Sequence, residues 1–191
     1  MMIVLIIMGI LLMVTMYLSG DQIQRVKDKT VKESILAEWQ SRYSRNLWSS
    51  SYAGKLYEYM DITLNAWSGE INFDYEPRNS EDETGVNNVF KDTFIIESIV
   101  TDPNNITSDA SNVESITFRY VPYQIPCERW TIQETDNTID TWDMHDELLL
   151  IARVNDSRNY CFLINKNNCR LMEVSREKCD IDELLLDKKE E

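Results

Sequence analysis

The chain has 191 residues, of which 43% are hydrophobic, and its 33 Asp+Glu against 19 Lys+Arg give a formal net charge of −14. This length provides one folded domain, or a small domain with an appendage. The acidic balance argues against nucleic-acid binding, which requires a basic surface. The single histidine, His145, excludes metal sites built from several histidines, and five glycines and four prolines exclude collagen-like or low-complexity sequence.

The first eighteen residues form an almost unbroken apolar segment. The sequence MMIVLIIMGILLMVTMYL is interrupted only by Gly9, Thr15 and the hydroxyl of Tyr17, and residues 1–20 contain no charged side chain. As a helix the segment would be about 27 Å long, close to the thickness of a bilayer's hydrocarbon core. It has neither a basic stretch before it nor a small-residue cleavage site after it, as a signal peptide would. We therefore predict a retained membrane helix.

The charges next to this segment leave its orientation open. Four basic residues follow it: Arg25, Lys27, Lys29 and Lys32. By the positive-inside rule they would place the C-terminal side in the cytoplasm, but long domains cross membranes largely regardless of such charges. The cysteines described below favour an oxidising compartment instead.

The helix is predicted to continue beyond the apolar segment as an amphipathic half. No proline occurs before Pro77, and Gly20 weakens a helix by only about 1 kcal/mol relative to Ala. Apolar residues then recur mostly at intervals of four, with charged residues on the other faces, which indicates a helix that packs on a domain. This stripe comprises Ile23, Val26, Val31, Ile35, Trp39, Tyr43 and Leu47. The serines at 49–51 and Gly54 predict the end of a rod of about 50 residues.

This order of features resembles the N-terminal region of type IV pilins and of the related pseudopilins of type II secretion. In that family an apolar run with a glycine leads into an amphipathic half-helix, a connecting loop and an antiparallel sheet. Met2-Ile3-Val4 and Gly9-Ile10-Leu11 fit the family pattern. The family's leader, its N-terminal aromatic residue and its register-setting glutamate would precede Met1 and are absent from this chain. The frequent proline near the end of the apolar half is also missing.

The resemblance implies a structural subunit of an extracellular pilus-like filament. Its helices would be stored in the inner membrane and then packed together by the pilus assembly machinery into the core of a homo-oligomeric filament on the cell surface. The residues implied in this helix-core assembly are Met1, Met2, Ile3, Val4, Leu5, Ile6, Ile7, Met8, Gly9, Ile10, Leu11, Leu12, Met13 and Val14.

The rest of the chain is predicted to form an antiparallel sheet. Alternation of apolar and polar residues at 71–75 and 116–120 is typical of strands with one buried face. The sequence ELLLIARV at 147–154, with polar turns before strands at 158–164 and 169–174, predicts a three-stranded meander. Segments 55–65 and 89–100 are ambiguous between helix and strand.

The predicted fold class is therefore α+β, with one long helix laid on an antiparallel sheet, as in pilins. The apolar stripe at 23–47 is the available cover for the sheet. The predicted divisions are a hydrophobic segment 1–20, an amphipathic continuation 21–52, a sheet domain 53–186 and a charged tail 187–191. Residues 75–88 and 101–112 are polar and are interpreted as surface loops.

Four cysteines lie in the C-terminal third: Cys127, Cys161, Cys169 and Cys179. An even number beyond a membrane helix favours two disulfides over four reduced thiols in a cytosolic protein. The wide spacings do not resemble the tight pairs of a zinc site. Spacing does not define the pairing, but pilins often close a C-terminal loop with a disulfide. That resemblance implies Cys169–Cys179 and leaves Cys127–Cys161, with Cys161–Cys169 across the hairpin as the rival.

No sequence motif indicates catalysis. The densest polar cluster is Asp140, Asp143, His145, Asp146 and Glu147. It precedes a buried strand and is interpreted as a solvated turn. Asp102, Asn104, Asn105 and Asp109 could line a calcium loop but lack the spacing of a known one. There is neither a glycine-rich phosphate loop nor a nucleophile elbow. We predict a protein that is not an enzyme and needs no cofactor or metal. The alternative is a membrane-anchored extracellular protein that binds a ligand through its loops at 76–88 and 101–112.

Overall fold

The structure, a computed structural model, describes the backbone of residues 2–79, 85–91, 93–100, 112–125, 127–135, 138–140, 147–155 and 158–174. It describes the side chains of these ranges except those of residues 2–19, 21, 85–89, 100, 138–140 and 158. The described part contains one helix followed by strands that pair only in antiparallel fashion, so the fold class is α+β, as predicted.

The helix α1 extends without a break from Met2 to Trp48. It passes through Gly20, and it ends at the serines where the sequence predicts its end, with the Ser49 amide donating to the Arg45 carbonyl at 2.9 Å. A two-residue turn then reverses the chain. Ala53 and Gly54 have φ values of 51° and 82° in this turn, which is the left-handed backbone that such hairpins require.

Eleven strands follow α1 in the described residues. They are β1 Ser51–Tyr52, β2 Lys55–Asn65, β3 Ile71–Pro77, β4 Gly85–Phe90, β5 Phe94–Val100, β6 Val113–Tyr120, β7 Arg129–Glu134, β8 Thr138–Asp140, β9 Glu147–Val154, β10 Arg158–Asn165 and β11 Leu171–Glu173. The first sheet has the order β4-β3-β2-β6-β7-β8, with β1 beside β2, and the second has the order β11-β10-β9-β5.

The strands predicted from alternation are confirmed. Residues 71–75 and 116–120 lie in β3 and β6, and β9, β10 and β11 form the expected meander. Both ambiguous segments are extended: 55–65 is β2, and 89–100 is shared by β4 and β5. The predicted loop at 75–88 is wrong at its two ends, which belong to β3 and β4. Residues 80–84, most of the predicted loop at 101–112 and the tail at 187–191 lie outside the described residues.

The sheet domain contains two sheets where the sequence predicted one. After β4, the chain leaves the first sheet and β5 pairs with β9, so that Phe94 lies opposite Val154. Nothing in local alternation specifies a pairing between strands so far apart in the sequence. The two sheets share one core, to which the first contributes Ile62 and Phe118 and the second contributes Phe162.

A disulfide between Cys127 and Cys169, with 5.6 Å between the Cα atoms, connects the two sheets. Cys127 precedes β7, and Cys169 lies in the turn before β11. The Tyr120 hydroxyl donates to the Cys169 carbonyl at 2.7 Å, which holds that turn against the end of β6. Closing a loop of 42 residues contributes about 4 kcal/mol in the chain-entropy treatment.

This pairing corrects all three predicted ones: Cys169–Cys179, Cys127–Cys161 and Cys161–Cys169. The predictions assumed that cysteines pair along one sheet or within a C-terminal loop, whereas the contact between two sheets brings Cys127 to Cys169. Cys161 is also disulfide-bonded, and Cys179 lies outside the described residues.

Candidate assembly helix

The part of α1 from residue 28 to residue 48, the docked half, packs on the sheets with one face. Most of its buried residues follow alternating spacings of four and three: Asp28, Lys32, Ile35, Trp39, Arg42 and Asn46, and Tyr43 is buried beside Arg42. Seven residues make close to two helical turns, so this spacing returns to the same side of the helix. The docked face is therefore a stripe with charged or amide side chains at both ends and the apolar Ile35 and Trp39 in the middle.

Aromatic contacts fix the middle of the docked half on the first sheet. Trp39 is 1% exposed and meets the Phe118 ring edge-on, with ring centroids 5.4 Å apart. Tyr43 meets Tyr120 in the same manner at 5.8 Å. Aromatic side chains bury about 150–250 Å² each, so these two residues provide much of the apolar area that holds the helix to β6.

Polar contacts fix the start of the docked half on the second sheet. The Lys32 ammonium donates to both carboxylate oxygens of Glu173 in β11, at 2.7 and 2.6 Å. The Asn155 side-chain amide, just after β9, donates to the Asp28 carboxylate at 3.1 Å. The docked half thus lies across both sheets, with its first turns on the second sheet and its later turns on the first.

The Arg42 side chain points from α1 towards the first sheet and is buried among aromatic rings. Its guanidinium donates to the Glu38 carboxylate at 2.6 Å and to the Tyr75 hydroxyl at 2.9 Å, and it lies 5.0 Å from the centre of the Phe73 ring. Burial opposes its charge, but hydrogen bonds with Tyr75, Tyr52 and Glu38 outweigh this effect and raise the pKa of Arg42 above its ordinary value. The guanidinium is therefore a permanent cation that joins α1 to β3.

Asn46 satisfies the backbone near the end of the helix. Its side-chain amide donates to the Val121 carbonyl at 3.1 Å, and its side-chain oxygen accepts from the Tyr57 hydroxyl at 3.2 Å. Burial, together with the neighbouring Tyr75, raises the pKa of Tyr57 to about 12. The phenol therefore keeps its proton as a hydrogen-bond donor throughout the physiological range.

The structure divides the predicted packing stripe. Ile35, Trp39 and Tyr43 are buried in the core, and Val31 and Leu47 are partly buried against it. Ile23 and Val26 do not pack on the sheet, because they are 56% and 65% exposed. Nine residues separate Val26 from Ile35, which turns the helix by about two and a half turns and places Val26 on the opposite side.

Sequence reasoning missed the polar members of the docked face. As charged residues, Asp28, Lys32 and Arg42 are predicted to lie on the solvent-facing sides of the helix. Their spacing from Ile35 and Trp39 was the available signal, since alternating steps of four and three stay on one face. From Val31 to Leu47 the predicted stripe advances by four residues at a time, and each such step moves about 40° around the helix.

The predicted assembly segment occupies the first part of α1. Its backbone from residue 2 is helical, whereas Met1 and all side chains of residues 2–19 lie outside the description. Among the residues that the structure describes, no helix has the length and apolar character needed to cross a membrane. The predicted role of residues 1–14 therefore stays a prediction.

The outer face of the first sheet carries a network of polar side chains. The Arg119 guanidinium donates to both oxygens of the Asp61 carboxylate, at 2.9 and 2.7 Å, and this pairing raises the pKa of Arg119. Asp74 lies opposite Asp61 on β3. Burial and the Asp61 charge raise the pKa of Asp74, and its Oδ1 atom is buried without a hydrogen-bond partner.

Two members of the predicted acidic cluster, Asp140 and Glu147, lie in the described part of the chain. Asp140 ends β8, and Glu147 begins β9 with an exposed side chain that accepts from Asn165 at 2.8 Å. Asp143, His145 and Asp146 lie outside the described residues. Within the described part of the chain, no group of three or more His, Cys, Asp or Glu side chains could hold a metal ion.

Comparisons with protein-family models, curated proteins and solved structures give no match for this chain.

Proposed function

We propose that the chain is the structural subunit of an extracellular type IV pilus-like filament, assembled by packing of its N-terminal helices, with a pilin-like arrangement of helix and sheet. The observation that carries this proposal is the continuity of α1 from Met2 to Trp48. The helix contacts the sheet domain at Asp28, which accepts a hydrogen bond from Asn155 just after β9. The preceding 26 residues of the helix would span about 39 Å.

An apolar rod of this kind needs a cover other than water. Burying one large aliphatic side chain contributes about 1.5–3 kcal/mol, and residues 1–18 contain more than a dozen such side chains. A bilayer covers them first, since a helix satisfies its own backbone amides in lipid. Neighbouring helices cover them in the filament, so the apolar side chains remain buried when a subunit moves from membrane to filament core.

The domain suits the outside of such a filament. Residues 51–191 contain 13 Lys+Arg and 29 Asp+Glu, and this excess of one sign favours solubility and limits non-specific contacts. The Cys127–Cys169 disulfide is typical of an oxidising compartment. The partners would be the membrane and the pilus assembly machinery before assembly, and other copies of the chain afterwards. This function needs self-association and no bond-making chemistry.

Removing the apolar segment tests the proposal. Full-length protein, purified in detergent and then freed of it, should form helical fibres in electron micrographs. A variant that lacks residues 1–18 should be a soluble, folded monomer in light scattering and circular dichroism. If the shortened variant still formed fibres, packing of the apolar helices would not be the assembly mechanism. If the full-length protein stayed monomeric in lipid vesicles and formed no fibres, the membrane-anchored ligand-binding alternative would be favoured.

A further inference from the structure

Residues 20–27 of α1, the neck, join the apolar segment to the docked half. The neck exposes two large apolar side chains, Ile23 at 56% and Val26 at 65%. They are three residues apart and therefore neighbours on the helix surface, and Val26 lies on the side away from the docked face. Isolated exposed apolar residues are common on protein surfaces, so this pair needs a second observation before it indicates a contact.

The second observation is the separation of charge between helix and domain. Residues 1–50 contain six Lys+Arg and four Asp+Glu, a net charge of +2, whereas residues 51–191 have a net charge of −16. Three of the six basic residues, Arg25, Lys27 and Lys29, fall within five positions in and beside the neck, and all three are exposed. The acid between them, Asp28, is buried against the protein's own domain. Asp21 is the acid within the neck itself, and Glu33 lies 3.8 Å from Lys29. With Arg25 and Lys27 the neck therefore keeps a net charge of +1, and its exposed surface is partly apolar.

We propose that the neck is a docking surface for the acidic domain of a second copy of this chain. The inference rests on the proposed filament, because packing of the apolar segments brings neighbouring domains alongside one another's necks. Opposite charges would orient the incoming domain and accelerate association, while Ile23 and Val26 would provide apolar area at the contact. The domain presents exposed acidic side chains, among them Glu58 in β2, Glu97 in β5 and Glu128 just before β7.

The test compares full-length variants with matched changes of charge. Lys27→Glu reverses the charge of an exposed neck side chain, and Val26→Ser removes apolar area from the neck. Arg78→Glu is the control, since it makes the same charge change at an exposed position of the domain beyond β3. The readout is the protein concentration above which fibres sediment after detergent removal. Circular dichroism checks that each variant keeps its helix.

We expect Lys27→Glu to raise this critical concentration about tenfold, which corresponds to about 1.4 kcal/mol, and Val26→Ser to raise it severalfold. Arg78→Glu should leave it within about twofold of the unmodified protein. Raising NaCl from about 0.1 to about 1 M shortens the Debye length from about 10 to about 3 Å. The unmodified protein should therefore become harder to assemble in high salt, while Lys27→Glu should change much less.

Each other result overturns the inference in a recognisable way. If the unmodified protein forms fibres and Lys27→Glu assembles as readily at both salt concentrations, the neck is not a docking surface, and the filament function stands. If Lys27→Glu leaves assembly unchanged but weakens binding to vesicles with anionic lipid relative to neutral vesicles, the neck contacts lipid headgroups instead. If the unmodified protein forms no fibres, both the inference and the proposed function fail.

Discussion

The docked half of α1 and the neck differ in a way that their compositions do not suggest. Both are rich in charged residues, yet the docked half buries Asp28 and Lys32, whereas the neck exposes Ile23 and Val26. A side chain of α1 is buried here when it lies on the side of the helix that meets the domain, whether it is polar or apolar. A charge can be buried there because the domain supplies its partner, while the apolar neck residues Ile23 and Val26 are exposed because no described part of the domain packs on them.

This difference also identifies the part of α1 that contacts within one subunit stabilise. Removing one partner of a buried ion pair is strongly destabilising, so changes on the docked face should destabilise the subunit itself. This constraint does not apply to Ile23 and Val26 of the neck, because both are exposed. Variants at the two places should therefore separate effects on stability from effects on assembly.

The largest expected difference is between Trp39→Ala and Val26→Ala. Removing the Trp39 ring deletes the contact with Phe118 and leaves a cavity between helix and sheet, which should lower the free energy of unfolding by about 3–5 kcal/mol. Val26→Ala removes an exposed side chain and should change it by less than about 0.5 kcal/mol. Urea unfolding of the full-length proteins in detergent, followed by circular dichroism, measures both. Equal losses for the two variants would contradict the division into docked half and neck.

The long helix could be predicted because its signals are local. A chain without proline up to Pro77 and a serine cluster after Trp48 suffice to place its extent. The docked face could not be predicted in the same manner, because the partner of Lys32 is Glu173, 141 residues away in the sequence. Periodicity identifies a face only when its members are apolar, and three members of this face carry a charge.

The sheets show the same limit. The meander of β9, β10 and β11 could be predicted since its strands are joined by short polar turns. The pairing of β5 with β9, and the disulfide between Cys127 and Cys169, join segments that only the tertiary structure brings together. The apolar segment at 1–18 is different again, because its composition indicates burial and both lipid and neighbouring helices provide an apolar cover.

A smaller effect is expected from two lysines on the same helix. Lys32 is nearly buried and holds Glu173 at 2.6 Å, whereas Lys29 and Glu33 are 3.8 Å apart with side chains 69% and 61% exposed. Lys32→Met should cost about 1–2 kcal/mol, because it leaves the Glu173 carboxylate without its cation in a partly desolvated position. Lys29→Met should cost less than about 0.5 kcal/mol.

The double variant Lys32→Met/Glu173→Leu serves as the control for the first pair. Replacing both partners of an ion pair with apolar groups is often neutral, so the double variant should recover most of the stability lost in Lys32→Met. Thermal unfolding of the four proteins gives the comparison. A double variant as unstable as Lys32→Met would mean that the lysine acts through some other contact, such as its position over the Tyr160 ring.

The smallest effect concerns a carboxylate that, unlike Asp28, has a buried oxygen without a partner. Because burial and Asp61 raise the pKa of Asp74, the folded protein binds this proton more tightly than the unfolded chain does. Stability from this group is therefore fully present below the ordinary pKa of the carboxyl and is lost as pH rises through the raised value.

Asp74→Asn should be more stable than the unmodified protein at pH 7, by about 0.5 kcal/mol or about 1–2 °C in Tm. The gain should disappear in more acidic buffer, below about pH 4. Asp61→Asn, which breaks the paired hydrogen bonds with Arg119, should instead lower Tm at pH 7. A loss of stability in both variants would show that the Asp74 carboxylate has a stabilising partner in the folded protein, as the buried charges of the docked half do.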